Sequence, residues 1–180
     1  MIGSDAIVLP PQATDDAKAF LRVDGEAEDG LIAGWMRSAA ELCERFTGQV
    51  TIAREVKEVL PASAAWQRLA RTPVRTISTV AALPAEGDPV PLAVDAFAID
   101  IDAQGDGWIR ITGGGGAIRR VQVSYEAGMA TEWTQVPDAL RQGMVRLVAH
   151  LHAHRDEAGD MGPPAAVAAL WRPWRRLRLQ

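Results

Sequence analysis

Cysteine is almost missing from this 180-residue chain: Cys43 has no second thiol to pair with, which excludes an internal disulfide framework and any multi-cysteine metal cluster. Lysine is scarce too, with Lys18 and Lys57 beside 17 arginines, a bias that reflects genome composition rather than mechanism. No apolar run approaches the roughly 20 residues that a bilayer-spanning helix needs. The opening MIGSDAIVLPPQ lacks the basic stretch and long apolar stretch of a secretory leader, so the chain is expected to be intracellular when made. Nucleophile elbow, triad spacing and dinucleotide fingerprint are all missing. The sequence therefore supports neither enzymatic activity nor a cofactor.

What is present is an ordinary globular balance, 48% hydrophobic and 23% charged. A chain of this length buries roughly 70% of its unfolded surface, enough for a core without disulfide or metal. The net charge of −4 argues against a surface that clamps nucleic acid all over. The charge is uneven, at −5 over residues 1–60, −2 over 61–136 and +3 over 137–180, which suggests two differently charged ends.

Thr14 can cap a short helix that carries Ala17, Phe20 and Leu21 on one side and ends near Val23. Asp24 can cap a longer one from about Ala27 to Thr47, with Gly48 at the C-terminal cap and an apolar stripe of Leu31, Ile32, Trp35, Met36, Ala39, Leu42, Cys43 and Phe46. From Val50 the period falls to two, and strands are expected at about 50–60, 74–83, 97–102, 107–112 and 119–126. Pro137 suits the first turn of a third long helix with Leu140, Met144, Leu147, Val148 and Leu151 inward. A short helix from Ala165 to about Trp171 should stop at Pro173. These pieces predict an α+β fold in which an N-terminal helical pair (12–48) and a C-terminal helical region (137–172) pack together, with a β-rich insertion (50–126) between them and a tail over 171–180. With neither a repeat nor a linker, a single domain over 1–180 is expected.

Candidate chemistry is sparse. Gly113 to Gly116 follows a strand as a phosphate loop does, but no Lys-Ser/Thr pair and no helix come after it, so a hairpin tip is expected. His150 and His154 share a helix face and His152 points away; two histidines lack the further ligands that zinc needs, so no metal site is expected. Cys43 sits among apolar residues as a small hydrophobe, and Asp100 and Asp102 on the wet face of one strand read as solubilising.

The end of the chain differs. Trp171, Arg172, Trp174, Arg175, Arg176, Leu177, Arg178 and Leu179 place eight large side chains in nine positions. Trp and Arg are the residues most enriched in binding hot spots. Three readings are open: the segment folds back on its own core with its arginines snorkelling, it binds nucleic acid by stacking and phosphate contacts, or it docks into another protein. The second would make the chain a small intracellular nucleic-acid-binding protein.

Several segments, in their order and spacing, resemble the head-tail connector, or adaptor, proteins of long-tailed phages and of phage-derived gene transfer agents. They are VLPPQATDDAKAFLRVDGEAEDGLIAGWMRSAAELCERFTGQVTIAREV (8–56), LARTPVRTISTV (69–80), VSYEAGMA (123–130), VPDALRQGMVRLVAHLHAHRD (136–156) and VAALWRPWRRLRL (167–179). The glycine-rich run and the Trp- and Arg-rich close depart from that pattern. The resemblance implies a protein without enzymatic activity that forms a dodecameric ring under the portal, extends the DNA channel without recognising DNA specifically, and carries the stopper and tail. It further implies assembly in the cytoplasm followed by residence in the neck of the particle, with no membrane involved. In such proteins the C-terminal segment inserts against the portal, a role that falls here on Trp171 to Leu179. That segment is expected to stay poorly ordered until it meets its partner.

Overall fold

The computed structural model describes residues 2–4, 6–113, 118–154 and 162–176. Its fold is α+β, with helices from both ends of the chain and strands between them. The chain divides into two compact units, one of residues 7–52 and 129–180, the other of residues 1–6 and 53–128.

The first unit holds the helices α1 (Pro11–Leu21), α2 (Asp29–Thr47), α3 (Asp138–Ala153) and α4 (Ala165–Trp171). α1 starts before the expected Thr14 cap, because Pro11 is preset for a first turn and lacks an N–H that would have no partner there. α2 starts later than the expected Ala27 and without an Asp24 cap; Glu28 takes the N-cap position, and the Lys18 ammonium reaches across to Asp29 instead. Gly48 closes α2 at φ 72, the left-handed conformation that a residue without a Cβ adopts readily. Pro137 precedes α3 as expected, and α4 stops at Trp171, where Arg172–Trp174 tightens into a 3-10 turn around Pro173.

α1, α2 and α3 pack pairwise around Ile32, Met36, Ala39, Ala40 and Cys43 of α2 and Leu140, Met144, Leu147 and Val148 of α3. Truncating any of the larger of these to alanine costs about 2–5 kcal/mol. Trp133 is buried with them, and its indole N–H is satisfied by Asp16 Oδ2 at 2.8 Å. Buried Glu44 accepts bonds from Thr51 N (2.9 Å) and Oγ1 (3.0 Å), so the strand expected to start at Val50 is first tied to the end of α2.

The second unit contains two antiparallel sheets. One has the order β1-β2-β8-β4-β5, formed by Ile2–Ser4, Arg54–Pro61, Arg120–Ala127, Val74–Ala82 and Val90–Pro91. The other has the order β3-β7-β6, formed by Gln67–Arg68, Gly107–Ile111 and Phe97–Ile101. The central strand β8 turns Val121, Val123, Tyr125 and Ala127 inward, the alternation legible in its sequence. Tyr125 donates its hydroxyl to buried Glu58 Oε2 at 2.8 Å, and Ala70 N donates to the same oxygen at 2.9 Å. Burial, aided by the Glu58 charge, pushes the Tyr125 phenol up.

β7 and β8 lie in different sheets, so the glycine run between them joins two sheets and does not close the expected hairpin; Gly114 to Gly116 lie outside the described residues. The reason is register: β7 spends its two edges on β3 and β6, and β8 spends its own on β2 and β4.

Candidate functional site

The segment singled out as a docking tail begins inside the helical core. Trp171 is 0% exposed, set at an angle to Phe46 with ring centroids 5.9 Å apart, and its Nε1 donates to the Leu140 carbonyl at 3.3 Å. The indole fits because α3 has no side chain at Gly143. A Cβ there would stand 2.7 and 2.8 Å from Cε2 and Cδ1, and closer still to Nε1.

Beyond Trp171 the chain is strapped to the end of α2. Gln49 Nε2 donates to the Trp174 carbonyl, and Arg176 N donates to the Thr47 carbonyl at 2.8 Å. Gly48 again makes room, since a Cβ there would press on the Arg176 carbonyl oxygen at 3.3 Å. Trp174 is half-buried, and the Arg175 guanidinium lies 5.7 Å from the centroid of the Phe46 ring beside a shallow pocket of about 380 Å³ lined by Leu42, Arg45 and Phe46. Arg172 and Arg175 are exposed and Arg176 is half-buried, while Leu177, Arg178 and Leu179 lie outside the described residues. The expectation of a poorly ordered segment from Trp171 onward is therefore corrected for 171–176: two tryptophans, one bond from the Gln49 side chain and one backbone bond to Thr47 hold it on the helices. The sequence marked the segment but missed its seat, Gly143, Gln49 and Thr47; the one signal was a glycine within the apolar stripe of α3.

The other candidates resolve into structure. His150 and His154 stack with ring centroids 4.3 Å apart, while His152 turns to Trp35 and sits 3.6 Å from Glu28. Among the described residues no group of His, Cys, Asp or Glu could hold a metal ion, and no helix is long and apolar enough to cross a membrane. Asp100 is exposed, but the Asp102 carboxylate shapes the β6–β7 turn, accepting from Gln104 N, Asp106 N and Trp108 Nε1, each at 2.9 Å. Burial pushes the Cys43 thiol up, the state of an inert core residue rather than a nucleophile.

No family model and no curated protein matches the chain. Among solved structures it is similar to a chain from the neck of an empty gene transfer agent particle computed with C6 symmetry, at TM-score 0.80 and 23% identity over 100% of this chain and 97% of that one. It is similar also to a chain of the virion of a native gene transfer agent particle (TM-score 0.75, 26% identity) and to one from the neck of a native particle computed with C12 symmetry (TM-score 0.73, 25% identity), with the same coverage. The fold of this chain, helical and stranded units alike, is that of chains found in gene transfer agent particles.

Proposed function

We propose that this chain is a structural component of the neck of a phage-like particle, and more specifically its head-tail connector, or adaptor. In that role the whole chain, 1–180, acts as one adaptor domain, forms a ring under the portal, extends the DNA channel and carries the stopper and tail. The observation that carries the reading is the end-to-end likeness, 100% of this chain against 97% of each particle chain. The absence of catalytic motifs agrees with a role built on surfaces rather than chemistry.

The C-terminal segment is the proposed portal contact. Trp171 and Trp174 anchor it, and Arg175 through Leu179 are the part offered to the portal. Stacking of bases on the tail, the alternative reading, is disfavoured because Trp171 is buried and Trp174 half-buried. The test is co-purification with a portal protein from the same source. Full-length protein is expected to be retained on immobilised portal, and a chain lacking 177–180 to be lost from it; equal retention of both would overturn the assignment of the tail.

A further inference from the structure

The helical unit presents, on two opposite sides, surfaces that its own residues leave incomplete. On one side α1 and α3 enclose a groove of about 590 Å³ whose apolar part is Ala19, Phe20 and Val145 and whose charged part is Arg141 and Arg146 with Asp16 and Asp138. Asp16 is engaged by the Trp133 indole and Asp138 by Arg141, which leaves Arg146 as the cation without an ion pair among the described residues. Phe20 is 53% exposed there. Arg141 pairs with Asp138 through a terminal nitrogen while its Nε is buried without a hydrogen-bond partner among the described residues. Arg146 is exposed and makes no ion pair among them.

On the other side runs the outer stripe of α2. Residues 31, 34, 38, 41 and 45 follow one another at alternating steps of three and four, which holds them on one line of a helix. That line is opposite to Ile32, Met36, Ala39, Ala40 and Cys43, which face the core. It is low in relief in the middle, where Gly34 has nothing nearer to an added Cβ than an Arg37 side-chain nitrogen at 3.8 Å and Ser38 is exposed. Glu41 is exposed beside them and makes no ion pair among the described residues. Because α1, α2 and α3 pack as a triangle, a line on the outside of α2 faces away from the groove between α1 and α3.

An exposed ring and an unpaired cation on one side thus complement a low stretch of helix and an anion without an ion pair on the other, with exposed Arg37 and Arg45 flanking that anion. Closed rings of one chain need this arrangement, since a head-to-tail contact joins two different surfaces. Resting on the ring assembly proposed above, we infer that the groove between α1 and α3 receives the outer stripe of α2 from a second copy of this chain. Phe20 seats over Gly34 and Ser38 of the neighbour, and Arg146, with Arg141 beside it, takes the neighbour's Glu41. The spacing allows both contacts together, because Glu41 lies one turn past Ser38, about 4.5 Å along the axis, within the reach of an arginine side chain.

A charge swap in the full-length protein tests this, read as the mass of the assembly by light scattering, alone and mixed with portal protein. Arg146→Glu and Glu41→Arg alone set like charges against each other and should each raise the concentration needed for half-assembly by on the order of tenfold to a hundredfold. Both changes together restore an opposite pair and should return assembly to near the unaltered level. Both sites are exposed, so each variant should melt like the unaltered protein, and recovery in the double variant cannot come from repaired folding. Rings indifferent to both single changes, or lost in both without recovery in the double variant, would overturn this contact and leave the neck assignment standing. An unaltered protein that never assembles, with or without portal, would sink the ring and the neck assignment together.

Discussion

Trp171 lies where the side chain of residue 143 would otherwise be. The indole of α4 occupies the notch that Gly143 leaves in α3, in van der Waals contact with the backbone there and hydrogen-bonded one turn away at Leu140. This joins the last helix to the bundle and fixes the point from which the C-terminal segment leaves it.

Gly143→Ala should therefore destabilise the protein, although alanine favours helices more than glycine does. Overpacking a filled core costs about 1–3 kcal/mol, more than the helix-propensity gain of about 1 kcal/mol. The urea midpoint of the variant should fall with an unchanged slope. A midpoint that rises would mean that the indole has another place to go.

Two truncations should separate folding from attachment. Removing 177–180 keeps Trp171 in the Gly143 notch and should abolish portal binding in a chain that still folds. Removing 171–180 empties the Gly143 notch and should cost at least the about 3–5 kcal/mol of a core tryptophan replaced by alanine. Equal melting temperatures for the two truncated chains would contradict the seating of Trp171.

The stripes of α2 and α3 and the alternation of β8 were legible because periods of 3.6 and 2 write burial directly into the chain. Trp171 was legible as important, but the sequence left folding back and docking open: a buried anchor and an exposed hot spot have the same composition, and only the missing side chain at Gly143, 28 positions away, separates them. The short strands β1, β3 and β5 were invisible for a related reason. Two or three residues carry no period, and their pairing is imposed by the long strands beside them. The α1–α3 groove was hidden because its halves come from segments that are individually amphipathic and unremarkable.

Alkaline pH should weaken the fold. The Tyr125 phenol and the Cys43 thiol both hold their protons more tightly when buried in the folded chain than when unfolded. A raised folded pKa means that stability is full below the ordinary values and is lost as pH rises through them, from about 8.5 for the thiol and about 10 for the phenol. Chemical-denaturation midpoints should decline over that window, and a Cys43→Ala, Tyr125→Phe chain should show a shallower decline. Native Cys43 should also react with maleimide only as fast as the protein opens; rapid labelling of the folded protein at neutral pH would refute its burial.

Asp102→Ala should loosen the β6–β7 turn, because one carboxylate serves two backbone N–H groups and the Trp108 indole. The expected cost is about 0.5–1.5 kcal/mol, the net worth of an ordinary hydrogen bond, because these exposed and half-buried donors can turn to water. Hydrogen exchange should show faster opening at Gln104, Asp106 and Trp108 and little change in α3. Unchanged exchange at those positions would show that the turn does not depend on the carboxylate.

The measurement that tests the central claim most directly is the mass of the purified protein by light scattering, alone and mixed with a portal protein from the same source. The account predicts that the 19.4 kDa chain adds to the portal as a ring, twelve copies for a neck of the C12 kind, and that it does so only with residues 177–180 in place. A monomer that ignores the portal, with or without its tail, would contradict it.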